Sequence, residues 1–434
     1  MSKLLGFVAV SFLAASASSD PNWPRWRGAR MNGVASDANP PVEWSETKNV
    51  SWKVRLPGHG SSTPILWGDR LYVLTAVRAD GVEPSLPPHA RRPGDGTPAA
   101  DSGQEFRVLA LDRSSGRTIW ERTASKATPH EGKQENNSYA SASALTDGEH
   151  LFAYFGSWGL YCYDLAGELL WQKDLGDMST RNGFGEGASP ALHGGTLVVN
   201  WDHEGQSFVV ALDKSSGKEI WRRNREEVSS WATPLVVEIG GRAQVVTTGT
   251  NKVRSYDLAT GESIWEGPGL TLNAIPSPLE SEGVVYLTSG FRGSVAYAVR
   301  LEDARGDIGS SPAILWRRDR DTPYVPSPLL YEGIFYLVKS NSGILTALDA
   351  KTGKPHFGPE RLDSIAEIYA SPVAAAGRVY IVGRDGNALV LASGPKLEVL
   401  ARNSLDDGFD ASPVLSGTEM YLRGYRYLYR IEAE

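Results

Sequence analysis

A single cysteine, Cys162, stands among 434 residues. No intrachain disulfide can form, and neither an adjacent-cysteine pair nor a Cys-x-x-Cys-His haem site can be written. Cys162 lies in YCYD, an apolar run that reads as a buried strand. Basic residues are also in short supply, 44 Lys and Arg against 51 Asp and Glu, for a net charge of −7. A surface built for nucleic acid or an anionic membrane needs the opposite balance, so neither partner is expected. Beyond the first twenty residues no apolar stretch is long enough to span a bilayer. The common catalytic signatures are missing too: there is no Walker A loop, no Gly-x-Ser-x-Gly elbow and no His-Glu-x-x-His, and no catalytic residue is assigned.

What is abundant is glycine (46) and tryptophan (13), the composition of short strands joined by tight turns. Lys3, the apolar residues 4–15 and Ala15-Ser16-Ala17 predict a cleaved export signal over residues 1–17. No cysteine accompanies the cleavage site, so the mature chain is expected periplasmic or secreted without a lipid anchor. Residues 18–49, carrying Trp23, Trp26 and Trp44, are expected as a strap against the outside of the domain formed by residues 50–434.

Two phrases repeat along that domain. The first is Ala-x-Asp-x3-Gly-x3-Trp, written ALDRSSGRTIW at 110–120 and ALDKSSGKEIW at 211–221. It recurs with Asp257/Gly261/Trp265, with Phe357 after Asp349/Gly353, and one residue shorter at Asp164/Gly167/Trp171. The aspartate side chain can hold the turn amides, the glycine takes positive φ, and the tryptophan on the returning strand fills the gap between sheets. The second phrase is a small residue followed by Ser/Thr-Pro, at 62–64, 188–190, 232–234, 276–278, 326–328, 370–372 and 411–413, with SAS at 141–143 lacking the proline. Proline is tolerated at the first residue of a strand, where no ladder donor is lost. After a first, longer interval these anchors fall 41 to 50 residues apart.

Four strands in about 45 residues make a propeller blade rather than a solenoid coil. Eight anchors predict an all-β, eight-bladed propeller of four-stranded antiparallel blades. The last unit supplies three strands, and VSWKVRL at 50–56 supplies the fourth, so the termini close the ring and no free sheet edge is left between the first and last blades. Residues 77–106, rich in proline and glycine, interrupt blade 1 between its second and third strands. A monomer is expected.

The Ala-x-Asp-x3-Gly-x3-Trp phrase resembles the tryptophan-docking repeat of the PQQ-binding-like β-propellers, over residues 50–434. That superfamily holds quinoprotein alcohol dehydrogenases and the non-enzymatic assembly lipoprotein BamB, so the resemblance implies the fold and leaves the activity open. A quinoprotein dehydrogenase would bind PQQ with calcium; Arg181 or Arg384 would pair its carboxylates, Trp231 would stack on its ring and Asp410 would take the substrate proton. The adjacent-cysteine disulfide typical of those enzymes has no counterpart here, and neither does the lipid-bearing cysteine of BamB.

In each blade the loops leading from strand D to the next strand A share a face with the B–C turns. Just before successive anchors the chain reads PGHGS, ENNSYA, NGFGEG, EEVSSW, LTLNAI, DTPYV, AEIY and DDGFD. Unlike the stereotyped turns of the opposite face, these are all different. They nominate His59, Asn137, Tyr139, Phe184, Glu186, Trp231, Asn273, Tyr324, Tyr369 and Asp410 as a ring around the channel mouth, with Arg181, Arg292 and Arg384 beside it. Aromatics with a few polar groups around a concavity suit a small molecule, a glycan or a peptide of a protein partner. Asp202, His203 and Glu204 in WDHEG are the densest candidate metal cluster, with carboxylates for calcium or an added imidazole for zinc or manganese; His59, His130 and Glu131, from neighbouring blades, are a second set whose role depends on their converging. The reading favoured is an exported, non-catalytic propeller that binds a ligand or protein partner, acting as a scaffold through this irregular face; the alternative is a PQQ- and calcium-dependent alcohol or sugar oxidoreductase.

Overall fold

The computed structural model describes residues 22–82 and 102–433; the expected signal peptide and most of the interruption at 77–106 lie outside these. Residues 77–78 and 104–106 belong to strands, with Val77 paired to Glu105 and Arg78 to Gln104.

The described residues form eight antiparallel sheets arranged in blades. Blade 1 runs from strand A at Ile65–Trp67 through Arg70–Arg78 and Gln104–Asp112 to strand D at Thr118–Ala127. Blades 2 to 7 follow in chain order with strands A at Leu145–Thr146, Ala191–His193, Leu235–Ile239, Leu279–Ser281, Leu329–Tyr331 and Val373–Ala375. Blade 8 takes Val414–Ser416, Glu419–Arg423 and Tyr427–Glu432 from the end of the described chain and Val50–Arg55 from its beginning. Trp52 pairs with Arg430 and Val54 with Leu428, the closure expected from the repeat count. Blade 4 departs from four strands: Gly306–Asp307, inside the C–D connection of blade 5, adds a parallel fifth at its edge. Among the described residues no helix is long and apolar enough to cross a membrane.

Each letter of the first phrase has a contact. The alanine is paired directly across from the tryptophan, Ala110 with Trp120 and Ala211 with Trp221; Cys162 fills the same place opposite Trp171. Burial pushes the Cys162 thiol up to about 12, so this cysteine is an inert small residue. The aspartate accepts the turn amides, as Asp213 Oδ1 does from Ser216 N at 2.9 Å. Gly217 has φ 66°, and a Cβ there would come within 2.6 Å of the Trp171 ring from the preceding blade. The tryptophan therefore lies flat on the next blade's glycine turn, and its indole N–H donates to a carbonyl of that turn. Trp52, Trp120, Trp171, Trp221 and Trp316 do so at 2.8 to 3.1 Å.

The second phrase does more than place a proline. The hydroxyl residue before each proline, and Ser143 where proline is absent, accepts a hydrogen bond from the backbone N–H of its counterpart in the preceding blade. Thr63 N donates to Ser143 Oγ, Ser143 N to Ser189 Oγ, Ser189 N to Thr233 Oγ1, and Thr233 N to Ser277 Oγ. Ser277 N donates to Ser327 Oγ, Ser327 N to Ser371 Oγ, Ser371 N to Ser412 Oγ, and Ser412 N back to Thr63 Oγ1. The eight bonds, each 2.8 to 3.1 Å, close a ring around the central channel.

The N-terminal segment does not simply strap the outside. Trp44, whose N–H donates to Asn403 Oδ1, does lie on the outer strand of blade 7. Residues 22–36 instead cross the channel end opposite the D–A loops. Trp23 pairs with Leu66, Arg25 with Leu145 and Val34 with Ala374, all on innermost strands, and Trp26 Nε1 reaches the ring hydroxyl of Ser412. Arg27, buried, donates to the carbonyls of Asn32 and Pro328 at 2.8 and 2.7 Å. The sequence hid this because the innermost strands are short, and their free edges accept the incoming segment as a partner.

Substitutions at two positions test these contacts in denaturant or thermal melts. Trp221→Ala is expected to cost about 3–5 kcal/mol, and Trp221→Phe much less, because Phe357 serves at the equivalent place in blade 6. Ser277→Ala strands the buried Thr233 N–H and is expected to cost about 1–3 kcal/mol. Ser277→Thr, matching Thr63 and Thr233, restores it.

Candidate functional site

The ring of hydroxyls fixes a register. Backbone entering strand A is extended, and side chains alternate in direction with period two. If the ring hydroxyl faces the channel, so does the residue two places before it. Those residues are Ser61, Ser141, Gly187, Trp231, Ile275, Val325, Tyr369 and Asp410, and all eight line one funnel on the D–A face. The funnel, open to solvent, spans about 860 Å³ and is completed by Gln134, Asn136, Asn137, Phe184 and Tyr324. Below it the channel continues past the ring hydroxyls to Trp26.

The funnel wall is tied loop to loop. Asn137 Nδ2 donates to Phe184 O at 2.8 Å, and Trp231 Nε1 to Gly185 O at 2.6 Å. Asn273 Nδ2 reaches the Tyr324 hydroxyl at 3.3 Å, and Asn136 Nδ2 the Tyr369 hydroxyl at 3.2 Å. Phe291 stacks on Tyr324 with ring centroids 4.7 Å apart. Such cross-bracing holds the aromatic rings before any ligand arrives.

Beneath Tyr369 lies a charged network. Arg384, from the B–C turn of blade 7, has a side chain only 1% exposed and donates to Asp410 Oδ1 at 2.8 Å and Glu367 Oε2 at 2.9 Å. It also contacts Asn136 Oδ1 and the Tyr425 hydroxyl, and its guanidinium sits 4.2 Å from the Tyr369 ring centroid. Burial works against the charged guanidinium, yet Asp410 above all holds its pKa above the ordinary arginine value. Asp410 is shifted up, because desolvation outweighs the attraction of Arg384.

Six of the nominated residues, Asn137, Phe184, Trp231, Tyr324, Tyr369 and Asp410, thus meet in the funnel. The others do not line it. His59 is buried against Tyr425, and desolvation, aided by the charges of Lys133, Arg423 and Arg384, pushes its imidazole down to about 3. Tyr139 packs edge-on against Trp158. Glu186 turns away to accept Ser157 N and Oγ at 2.8 and 2.6 Å, tying a D–A loop to the B–C turn of blade 2. Asn273 braces Tyr324 from behind. Arg181 sits in a short turn whose N–H donates to Ser229 Oγ, and Arg292 lies over the Phe291 ring. His130, paired with the Met178 carbonyl, and Glu131, which accepts Thr180 N, do not converge with His59. Ser61, Ser141, Gly187, Ile275 and Val325 were missed, although counting back two from each anchor hydroxyl would have found them.

The metal reading of WDHEG is corrected by its partners. Asp202 forms a fully buried ion pair with Arg225, Nε to Oδ1 2.7 Å, both side chains 0% exposed. Glu204 accepts Ser229 N and Oγ, and His203 Nδ1 accepts Ser179 N. The three side chains diverge, Asp202 to the outer strand of its own blade and Glu204 and His203 to the D–A loops on either side, and among the described residues no group of three potential ligands is placed to hold an ion. Residues 203–206 form a bend whose side chains fan out toward different partners, which is why a dense acidic turn need not be a cluster.

PQQ does not fit this lining. The cofactor carries three carboxylates, whereas among the described residues the only charged one lining the funnel is the acidic Asp410. Arg384 is already committed to two carboxylates below the floor.

A closed eight-bladed ring held by tryptophan–glycine contacts defines the PQQ-type class of β-propeller. Within it, the model of the family described as outer membrane protein assembly factor BamB matches residues 33–177, 104–268, 157–305 and 205–433, and the chain belongs to that family. The outer membrane protein assembly factor BamB of Yersinia pestis is 25% identical over 359 residues, 77% of this chain and 82% of that protein. Among solved structures, BamB from Moraxella catarrhalis superposes with a TM-score of 0.55 at 16% identity, covering 83% of this chain and 98% of that one. A europium-containing methanol dehydrogenase gives 0.61 at 11% identity, covering 93% and 89%; at these identities both share the fold alone.

The shifted carboxyl of Glu186 yields a pH test. Desolvation, partly offset by the Ser157 hydrogen bonds, pushes it up to about 7. A folded-state pKa above the unfolded value favours the protonated fold, so its stability contribution is present below about pH 4.5 and lost as pH rises through 7. Glu186→Gln is therefore expected to flatten the fall in melting temperature between pH 5 and pH 8. Separately, Arg225→Ala leaves Asp202 buried and unpaired, with an expected loss of about 3–5 kcal/mol in a denaturant titration.

Proposed function

We propose that the protein is a non-catalytic, partner-binding propeller, exported from the cytoplasm, which receives a segment of a protein partner in the D–A funnel. The observation that carries this reading is the lining among the described residues: aromatic and aliphatic walls, neutral amides and hydroxyls, one carboxylate, and no cation for an anionic cofactor. Membership of the BamB family supports a protein partner. The opening, ringed by Trp231, Phe184, Tyr324 and Tyr369, offers rigid amphipathic rings of the kind enriched where peptides dock. The channel's far end is crossed by the N-terminal segment, so a ligand enters from the D–A face.

A photo-crosslinking residue at Tyr324 or Phe184, introduced in cells that make the protein, is expected to trap a discrete partner band. The same residue at Leu169, exposed on the outer strand of blade 2, should trap none. PQQ with calcium at saturating concentration is expected to leave the melting temperature unchanged. A shift of several degrees that vanishes in Trp231→Ala would overturn the reading in favour of a quinoprotein.

A further inference from the structure

The eight funnel positions set by the repeat register include one charged residue, and its bonding is incomplete. Asp410 has a side chain 5% exposed. Its Oδ1 accepts Arg384 Nε at 2.8 Å and the Tyr425 hydroxyl at 3.2 Å. Its Oδ2 is buried and has no hydrogen-bond partner. Other buried carboxylates here are fully served: Asp202 receives Arg225, Asn200 and Ser230, and Glu227 receives Asn251, Lys252 and Arg254. A buried acceptor with no donor is costly, and more so when charged.

The charge of the network is unbalanced in the same direction. Arg384 is the one guanidinium between Glu367 and Asp410, and its other partners, Asn136, Tyr369 and Tyr425, are neutral. One positive charge therefore serves two carboxylates. Asp410 lines both the funnel and the channel beneath it, so its carboxylate, with the unserved oxygen just beneath the surface, belongs to the funnel floor. The walls above it are Trp231, Tyr324 and Tyr369, whose faces attract cations and also accept a hydrocarbon stem.

We infer that the funnel receives a lysine or arginine side chain from the partner's peptide segment, with its ammonium or guanidinium donating to Asp410 Oδ2 and its methylene stem lying between the aromatic walls. A long, thin side chain with a terminal cation matches a deep floor under an apolar neck. The incoming charge gives each carboxylate a cation of its own, where the free protein shares Arg384 between the two. This inference rests on the partner-binding reading above and adds the chemistry of what enters.

Two blocked dipeptides, acetyl-Tyr-Lys-amide and acetyl-Tyr-norleucine-amide, differ in the terminal ammonium and little else. Titrated calorimetrically into the intact chain, the lysine peptide is expected to bind at least tenfold more tightly, and added salt should narrow the gap. Asp410→Asn, if its melt and circular dichroism match the unsubstituted chain, should bring the two peptides within about twofold. The comparison on the unsubstituted chain needs no variant and decides alone: equal affinities, or tighter binding of the norleucine peptide or of a neutral oligosaccharide such as cellotetraose, overturn the inference. If Tyr324 and Phe184 still crosslink a partner in that case, the partner-binding reading stands and only the cation is lost. If they crosslink nothing, the reading itself has failed.

Discussion

Eight backbone N–H groups, each donating to the hydroxyl of the next blade, set the geometry on which everything else in this protein rests. Strand A of each blade is short, two to five residues, and by itself makes little contact with its neighbours across the channel. The hydroxyl ring gives each innermost strand a polar partner in the next blade, where water would otherwise have to satisfy the amide. It also explains why the anchor tolerates Ser or Thr but keeps an oxygen in every unit. The proline that follows has no N–H to offer and starts the strand with φ already restricted. Where proline is missing, at Ser143, the hydrogen bonds on both sides are still made.

At the outer radius the corresponding contact is tryptophan on glycine, and its exceptions are as informative as its rule. Trp265 of blade 4 donates to Gln244 of its own blade rather than forward. Blade 5 has replaced its glycine turn with residues 301–313, which instead lend blade 4 a fifth strand. Blade 7 carries Ala401 where the tryptophan would stand, paired with Val390. It faces blade 8, whose third and fourth strands come from opposite ends of the chain and so have no turn between them. There Trp44 of the N-terminal segment enters the same core cluster as Ala401. The ring is thus closed by backbone pairing at one radius and by a borrowed tryptophan at another.

The blade count, the closure and the face that carries the funnel were legible because each rests on a local rule repeated many times. A turn needs glycine at positive φ, and a strand alternates. The path of residues 22–36 was not legible, since Trp23 and Trp26 are apolar for either the outside of a blade or the end of a channel. The site was half legible. Loop irregularity pointed to the eight loops that form the funnel, but the lining residue follows from the register and not from side-chain chemistry: His59, Glu186 and Arg292 are conspicuous and turn elsewhere, whereas Gly187, Ile275 and Val325 line the wall. The acidic turn at Asp202 misled for a related reason: composition says which ligands are present, whereas convergence depends on alternation and on partners such as Arg225 that lie 23 residues away.

The separation between ring hydroxyl and funnel residue has a consequence for how such a fold acquires specificity. The hydroxyl position is held by backbone hydrogen bonding, so it must remain Ser or Thr whatever the protein binds. The position two residues earlier faces the same channel but owes nothing to blade closure, and here it is Ser, Gly, Trp, Ile, Val, Tyr or Asp. Stability and recognition therefore sit on alternate residues of one strand, and a change of ligand requires no change in the ring. Asp410 is the exception that tests this division. Its carboxylate needs Arg384 and Tyr425 behind it, so a charge at a funnel position brings supporting residues with it, whereas an isoleucine does not. On the partner-binding reading, a neutral funnel position can change freely, whereas one that carries a buried charge with a committed counter-ion is constrained by the residues that support that charge.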